Sequence, residues 1–203
     1  MFGIDTNLLV PFLSRWVHFM AGITWIGMLY FFNFVNVHFA KLLDADTKKK
    51  VVPELMPRAL FWFRWGAMLT LLSGLFIIYW NFWVASEGGF SGLFASSYGF
   101  WITFGGALGI IMWFNVWFII WPAQKKIIGW VKAGQNPPEM AGIVKRATNT
   151  SKLNTYLSVP MLFGMGAASH FPVDQHWLAL LVLLVGCLIA YLTINAASKI
   201  KGF

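Results

Sequence analysis

The stretch LLVPFLSRWVHFMAGITWIGMLYFF, residues 8–32, has no acidic side chain and only two basic ones, Arg15 and His18. Crossing a hydrocarbon core of about 30 Å takes about 20 residues of helix. The run exceeds that length and reads as a membrane-spanning helix. Four further apolar runs follow, so that spans are expected near residues 9–38, 59–85, 98–122, 153–170 and 175–197. The first is longer than a minimal crossing and must tilt or project. The fourth is the shortest. The expected fold is an all-α integral membrane protein of about five transmembrane helices, one transmembrane domain over residues 1–203.

Composition agrees. The chain of 203 residues is 59% hydrophobic, 18% aromatic and 11% charged, against about 25% charged in ordinary globular proteins. The basic residues then set an orientation. Lys41, Lys48, Lys49, Lys50 and Arg58 lie between the first two spans, and Lys125, Lys126, Lys132, Lys145, Arg146 and Lys152 between the third and fourth. Lys199 and Lys201 follow the fifth. The other connections, 86–97 and 171–174, hold Glu87 and Asp174 and no Lys or Arg. The positive-inside rule therefore puts the N-terminus outside and the C-terminus in the cytoplasm. The net charge of +8 reflects this topology and attraction to anionic lipid, and is no argument for a nucleic-acid partner. The single cysteine, Cys187, allows no disulfide framework and no CxxCH haem attachment. The opening MFGIDTN lacks the charged n-region of a cleaved signal, so the first helix is expected to be retained.

Local signals refine the spans. Thr6 or Asn7 is a candidate cap for the first helix. LLDADTKKKVVPELMPR reads as a polar loop, and LFWFRWG as an aromatic belt in which Arg64 snorkels or pairs with a buried acceptor. SEGGFSGLFASS reads as a mobile loop, and GGALG as a place where helices approach closely. AQKKIIGWVKAG reads as an amphipathic segment on the inner surface. Pro160 predicts a kink.

Ionisable groups at membrane depth are functional candidates. His18 has Gly22 four residues on, and His170 has Gly166 four residues before it, so each helix offers an imidazole and a bare slot on one face. A haem held between two helices needs that pairing. His18 and His170 are thus candidate axial ligands of a haem b near the outer surface, with Arg15 for a propionate and Trp25 and Phe163 along the same stripes. His38 lies about 30 Å of helix from His18 and cannot share a metal with it. Asn115 is expected to cross-link helices, with a role in lining a site second.

Other readings stay open. Interfacial histidines also bind water or headgroups, and glycine is common in membrane helices. His176 is a candidate alternative ligand or proton relay, or a solvated helix start. Asp174 with His170 and His176 could hold a metal ion, and His38 an inner cofactor. There is no glycine phosphate loop, and no mid-membrane carboxylate of the kind an ion pump uses. Electron transfer through a buried cofactor fits best. A cofactor-free structural or assembly subunit of a respiratory complex is the alternative.

Four blocks resemble one family. RWVHFMAGITWIG (15–27), LFWFRWGAMLTLLSGLFIIYW (60–80), MWFNVWFIIWPAQKKIIGWVKAG (112–134) and LNTYLSVPMLFGMGAASHFP (153–172) are similar, in order, to the membrane-embedded N-terminal domain of bacterial cytochrome-c-linked urate oxidases. The first block is also similar to the membrane protoporphyrinogen oxidase family. The resemblance carries over His18 and His170 within matching blocks, and marks Arg64, Asn115, Asn154 and Pro160 as motif positions. It implies a membrane-bound oxidoreductase domain that passes electrons to a c-type cytochrome on the outer side. The chain is expected to depart from the family in lacking a cytochrome c domain, in a short inner loop after the first helix and in having fewer spans. It is therefore expected as a stand-alone haem subunit that docks a c-type cytochrome or a respiratory complex subunit, or pairs with itself. Urate oxidation by the chain alone is not expected.

Overall fold

A computed structural model describes residues 5–86 and 88–200; Glu87 and Lys201 fall outside them. The described residues form helices and no strand. Four helices are long and apolar enough to cross a membrane: α1 (Thr6–Leu42), α2 (Ala45–Val84), α4 (Ser97–Ala133) and α6 (His176–Lys199). A short α3 (Gly89–Phe94) links α2 to α4, and α5 (Met140–His170) lies between α4 and α6. Bulky apolar side chains stay exposed along these helices, among them Phe12 (65%), Phe19 (66%) and Leu184 (61%). In water that would be costly, and in lipid it is the expected outer surface.

Five spans were expected, and the fourth is the one that differs. Residues 153–170 form the second half of α5, whose first half, MAGIVKRATNTSK, is polar and basic. The whole helix is therefore less apolar than its neighbours. Its buried residues Asn154, Thr155 and Ser158 are faced by protein, because α5 packs between α4 and α6.

Three segments expected as loops or separate pieces are helical. VVPELMPR continues into α2 as helix, with Pro53 and Pro57 inside it. AQKKIIGWVKA is the unbroken continuation of α4, which Gly134 ends in a left-handed conformation. GFSGLF in the expected mobile loop is α3. The first cap is neither Thr6 nor Asn7 but Asp5, whose carboxylate accepts from the Asn7 N–H at 2.9 Å. Asp44 caps α2 in the same way, accepting from the Asp46 and Thr47 N–H groups. These extensions carry Lys48, Lys49 and Lys50 on α2 and Lys125, Lys126 and Lys132 on α4, and with Lys41 near the end of α1 and Lys145 and Lys152 in the first half of α5 they give the bundle one basic end. Lys49 lies beside Gly134 there, with the start of α2 against the end of α4.

Glycines set the close helix contacts. A Cβ on Gly105 of α4 would come within 3.2 Å of the Met161 carbonyl of α5, and one on Gly66 of α2 within 3.1 Å of the Trp25 nitrogen of α1. Pro160 stays within an unbroken α5, its ring against Gly186 of α6, where a Cβ would meet it at 2.7 Å.

Two stretches of π-helix each present an asparagine to α5. Asn33, in Phe31–Asn36 of α1, donates to Ser151 Oγ at 2.8 Å. Asn115, in Asn115–Ile120 of α4, donates to Asn154 Oδ1 at 2.8 Å, and Asn154 donates to the Met112 carbonyl at 3.0 Å. The wider turn re-aims the side chain, and the buried amides are satisfied across the helix interface.

Candidate functional site: a glycine-walled cavity beside His18

Between α1, α2, α4 and α5, toward the end away from the lysines, lies a cavity of about 500 Å³. Its walls are mainly apolar, and Arg15, His18, Gly22 and Trp25 all line it. So do Gly106 and Gly109 of α4. A Cβ added to Gly22, Gly106 or Gly109 would meet nothing within 4 Å. The two facing helices therefore offer bare backbone to open space, as a flat ring would need.

His18 is held in one orientation. Its Nδ1 lies 3.2 Å from Ser73 Oγ, and its ring rests on Gly74, where a Cβ would come within 2.9 Å of Cε1. Ser73 donates its own proton to the Leu69 carbonyl at 2.6 Å. A hydroxyl has one proton to give, so toward His18 it accepts. Nδ1 thus carries the hydrogen and Nε2 keeps a free lone pair. A metal-binding imidazole is oriented in this way by the partner of its other nitrogen.

The two ends of the cavity differ. At one end stand the exposed Arg15 and Tyr98, both lining residues. Tyr98 accepts from Asn81 Nδ2 at 3.0 Å, which leaves its hydroxyl proton free. At the other end Tyr30 lies 3.0 Å from Ser158 Oγ. Ser158 gives its proton to the Thr155 carbonyl at 2.8 Å, so Tyr30 donates to it and has no proton left for the cavity. The site has a cationic, hydrogen-bonding mouth and an apolar, self-satisfied floor.

His170 is placed differently. It is exposed and ends α5. Along the helices it is level with His18: each lies about 18 Å from the Tyr30–Ser158 contact on its own helix. The cavity face of α5, however, consists of Met161, Leu162, Met165, Ala168 and Ser169. His170, Gly166 and Phe163 are absent from it, and Phe163 packs on Trp101 with ring centroids 5.5 Å apart. His176 sits edge-on to Phe100 at 5.5 Å and, with Asp174, lines a second cavity of about 350 Å³. No cluster of three or more His, Cys, Asp or Glu occurs among the described residues. His38 Nε2 is buried without a partner. Arg64 lies among tryptophans at the basic end, away from the cavity.

A family model described as "Urate oxidase N-terminal" matches residues 86–201, more than half of the chain. The chain belongs to that family. The match spans α3 to α6 and so includes the cavity walls given by α4 and α5. Arg15, His18 and Ser73 lie before it. No curated protein and no solved structure matches the chain.

Several lining or supporting residues escaped sequence reasoning: Ser73, Gly74, Tyr98 and Met165. Ser73 and Gly74 stood in the Leu-Ser-Gly element of the second block, and only the antiparallel pairing of α1 with α2 gives that element its target. Gly106 and Gly109 were visible within GGALG, but as packing residues. Gly105 does pack, and the other two face the cavity.

Proposed function

We propose that the chain is a membrane b-type haem protein that transfers electrons, with the haem in the cavity and His18 as an axial ligand. The observation that carries this reading is the His18–Ser73 hydrogen bond, which leaves Nε2 free beside glycine-walled space. Haem bound there would supply one-electron redox chemistry, at a potential set by its second ligand and its burial. The residues present fit the group. Ser73 and Gly74 hold the imidazole; Gly22, Gly106 and Gly109 leave room for a flat ring. Arg15 and Tyr98 offer a cation and an O–H donor to carboxylates at the mouth. The apolar walls exclude water and suit a macrocycle better than a polar purine, so urate itself is not the occupant this cavity favours.

A second ligand to such a haem would come from α5. His170 has the matching level, and Met165 the face that lines the cavity; a His–Met pair would raise the potential relative to bis-histidine. The polar half of α5 lies at the basic end and its apolar half is covered by α4 and α6, which supports counting it as a fifth crossing. With the lysines on the cytoplasmic side, the Arg15 mouth faces outward in a bacterial inner membrane, within reach of a c-type cytochrome or a respiratory partner.

The test is a reduced-minus-oxidised spectrum of the purified chain from haem-replete cells, beside His18→Ala, His170→Ala and Met165→Leu. The reading predicts a b-type signal that His18→Ala removes and that one of the two α5 variants opens to carbon monoxide. A chain without haem absorption would leave the cofactor-free subunit in its place.

A further inference from the structure

Arg64 is a cation with no counter-ion among the described residues. Its guanidinium carbon lies 4.1 Å from the ring centroid of Trp121, 5.1 Å from that of Trp117 and 5.7 Å from that of Trp65. Its Nε is buried and has no hydrogen-bond partner. The one ion pair among the described residues joins Arg58 to Glu54, so no carboxylate there neutralises Arg64. Aromatic faces attract a cation, but they are only weak acceptors for the five N–H hydrogens of a guanidinium. Lys125 Nζ lies 5.4 Å from the centroid of the same Trp121 ring. Two positive charges therefore gather on one tryptophan.

The surroundings point to the missing partner. Trp121 closes the apolar run of α4, and the amphipathic KKIIGWVK segment follows it, so the pair stands where a membrane gives way to headgroups. Trp62 and Trp65 are 61% and 41% exposed, which opens this flank of α2 to the lipid side. The group required is an anion with several acceptor oxygens that a planar fork can grip.

We propose that Arg64 and Lys125, arrayed on Trp121, form a phosphate site for the headgroup of an anionic lipid in the leaflet at the basic end. A phosphate diester supplies acceptors to the guanidinium, its charge offsets both cations, and its acyl chains lie along the exposed flank of Trp62 and Trp65. Free phosphate offers the same oxygens without the chains.

The experiment uses the whole purified chain in mild detergent. Retention of phosphatidylglycerol and of phosphatidylcholine is read by native mass spectrometry, and thermal stabilisation by each lipid and by inorganic phosphate is read in parallel. Wild type is compared with Arg64→Gln and with Lys125→Gln, whose exposed side chain can change without disturbing the bundle. Wild type should retain phosphatidylglycerol in preference to phosphatidylcholine. Arg64→Gln should weaken that retention on the order of tenfold, as loss of a charge-assisted hydrogen bond would, and Lys125→Gln by less. Stabilisation by inorganic phosphate alone, lost in Arg64→Gln, would keep the phosphate site and overturn the lipid as its source. Equal retention by wild type and both variants, with no response to phosphate, would overturn the site.

Discussion

His18 Nδ1 and Ser73 Oγ are 3.2 Å apart, and the only proton Ser73 can give is directed at the Leu69 carbonyl. This relationship makes α2 the element that orients a side chain of α1. Replacing Ser73 by alanine removes the acceptor and lets the imidazole rotate or change tautomer. Ser73→Ala is expected to lower haem affinity by about 10–100-fold, and Ser73→Thr to restore most of it. Haem titration of the apoprotein measures both.

The glycines separate occupancy from packing. At Gly22 a side chain would enter open space, and at Gly74 it would meet the His18 ring at 2.9 Å. Gly22→Leu is expected to fold and melt like wild type while losing haem, because the side chain takes the cofactor's room. Gly74→Ala should keep haem with a displaced ligand, seen as a shifted midpoint potential. Haem content and redox titration distinguish the two.

Asn154 is fully buried, accepts from Asn115 and donates to the Met112 carbonyl. Asn154→Leu strands the groups on α4 that it satisfies, at a cost of about 1–3 kcal/mol for each one left buried. The variant is expected to melt earlier in detergent while keeping any haem spectrum it can fold around, because the amide does not line the cavity. Circular dichroism and absorption on one sample check both halves of that statement.

The spans at 9–38, 59–85, 98–122 and 175–197 could be read directly, since a long apolar run has few alternatives to a membrane helix. Their true ends could not. Lys48, Lys49 and Lys50 look like loop residues in isolation, yet they begin α2 once Asp44 caps it. The site divided along the same line. Periodicity identified His18, Gly22, Arg15 and Trp25, which share one side of a single helix. It could not say which face of α5 meets the cavity, because that depends on how α5 rotates between α4 and α6. His170 and Gly166 satisfy the spacing, and Met165 and Ser169 line the wall. Likewise Gly74 serves His18 from another helix, at a distance in sequence that no local pattern reports.

The central claim is that His18 ligates a haem in this cavity. The most direct measurement is the haem-to-protein ratio with the reduced-minus-oxidised spectrum, for wild type and His18→Ala purified in parallel from haem-replete cells. The account predicts a b-type spectrum with haem close to stoichiometric in wild type, and none in a His18→Ala protein that is still folded. A wild-type chain without haem, or a His18→Ala chain with an unchanged spectrum, would contradict it.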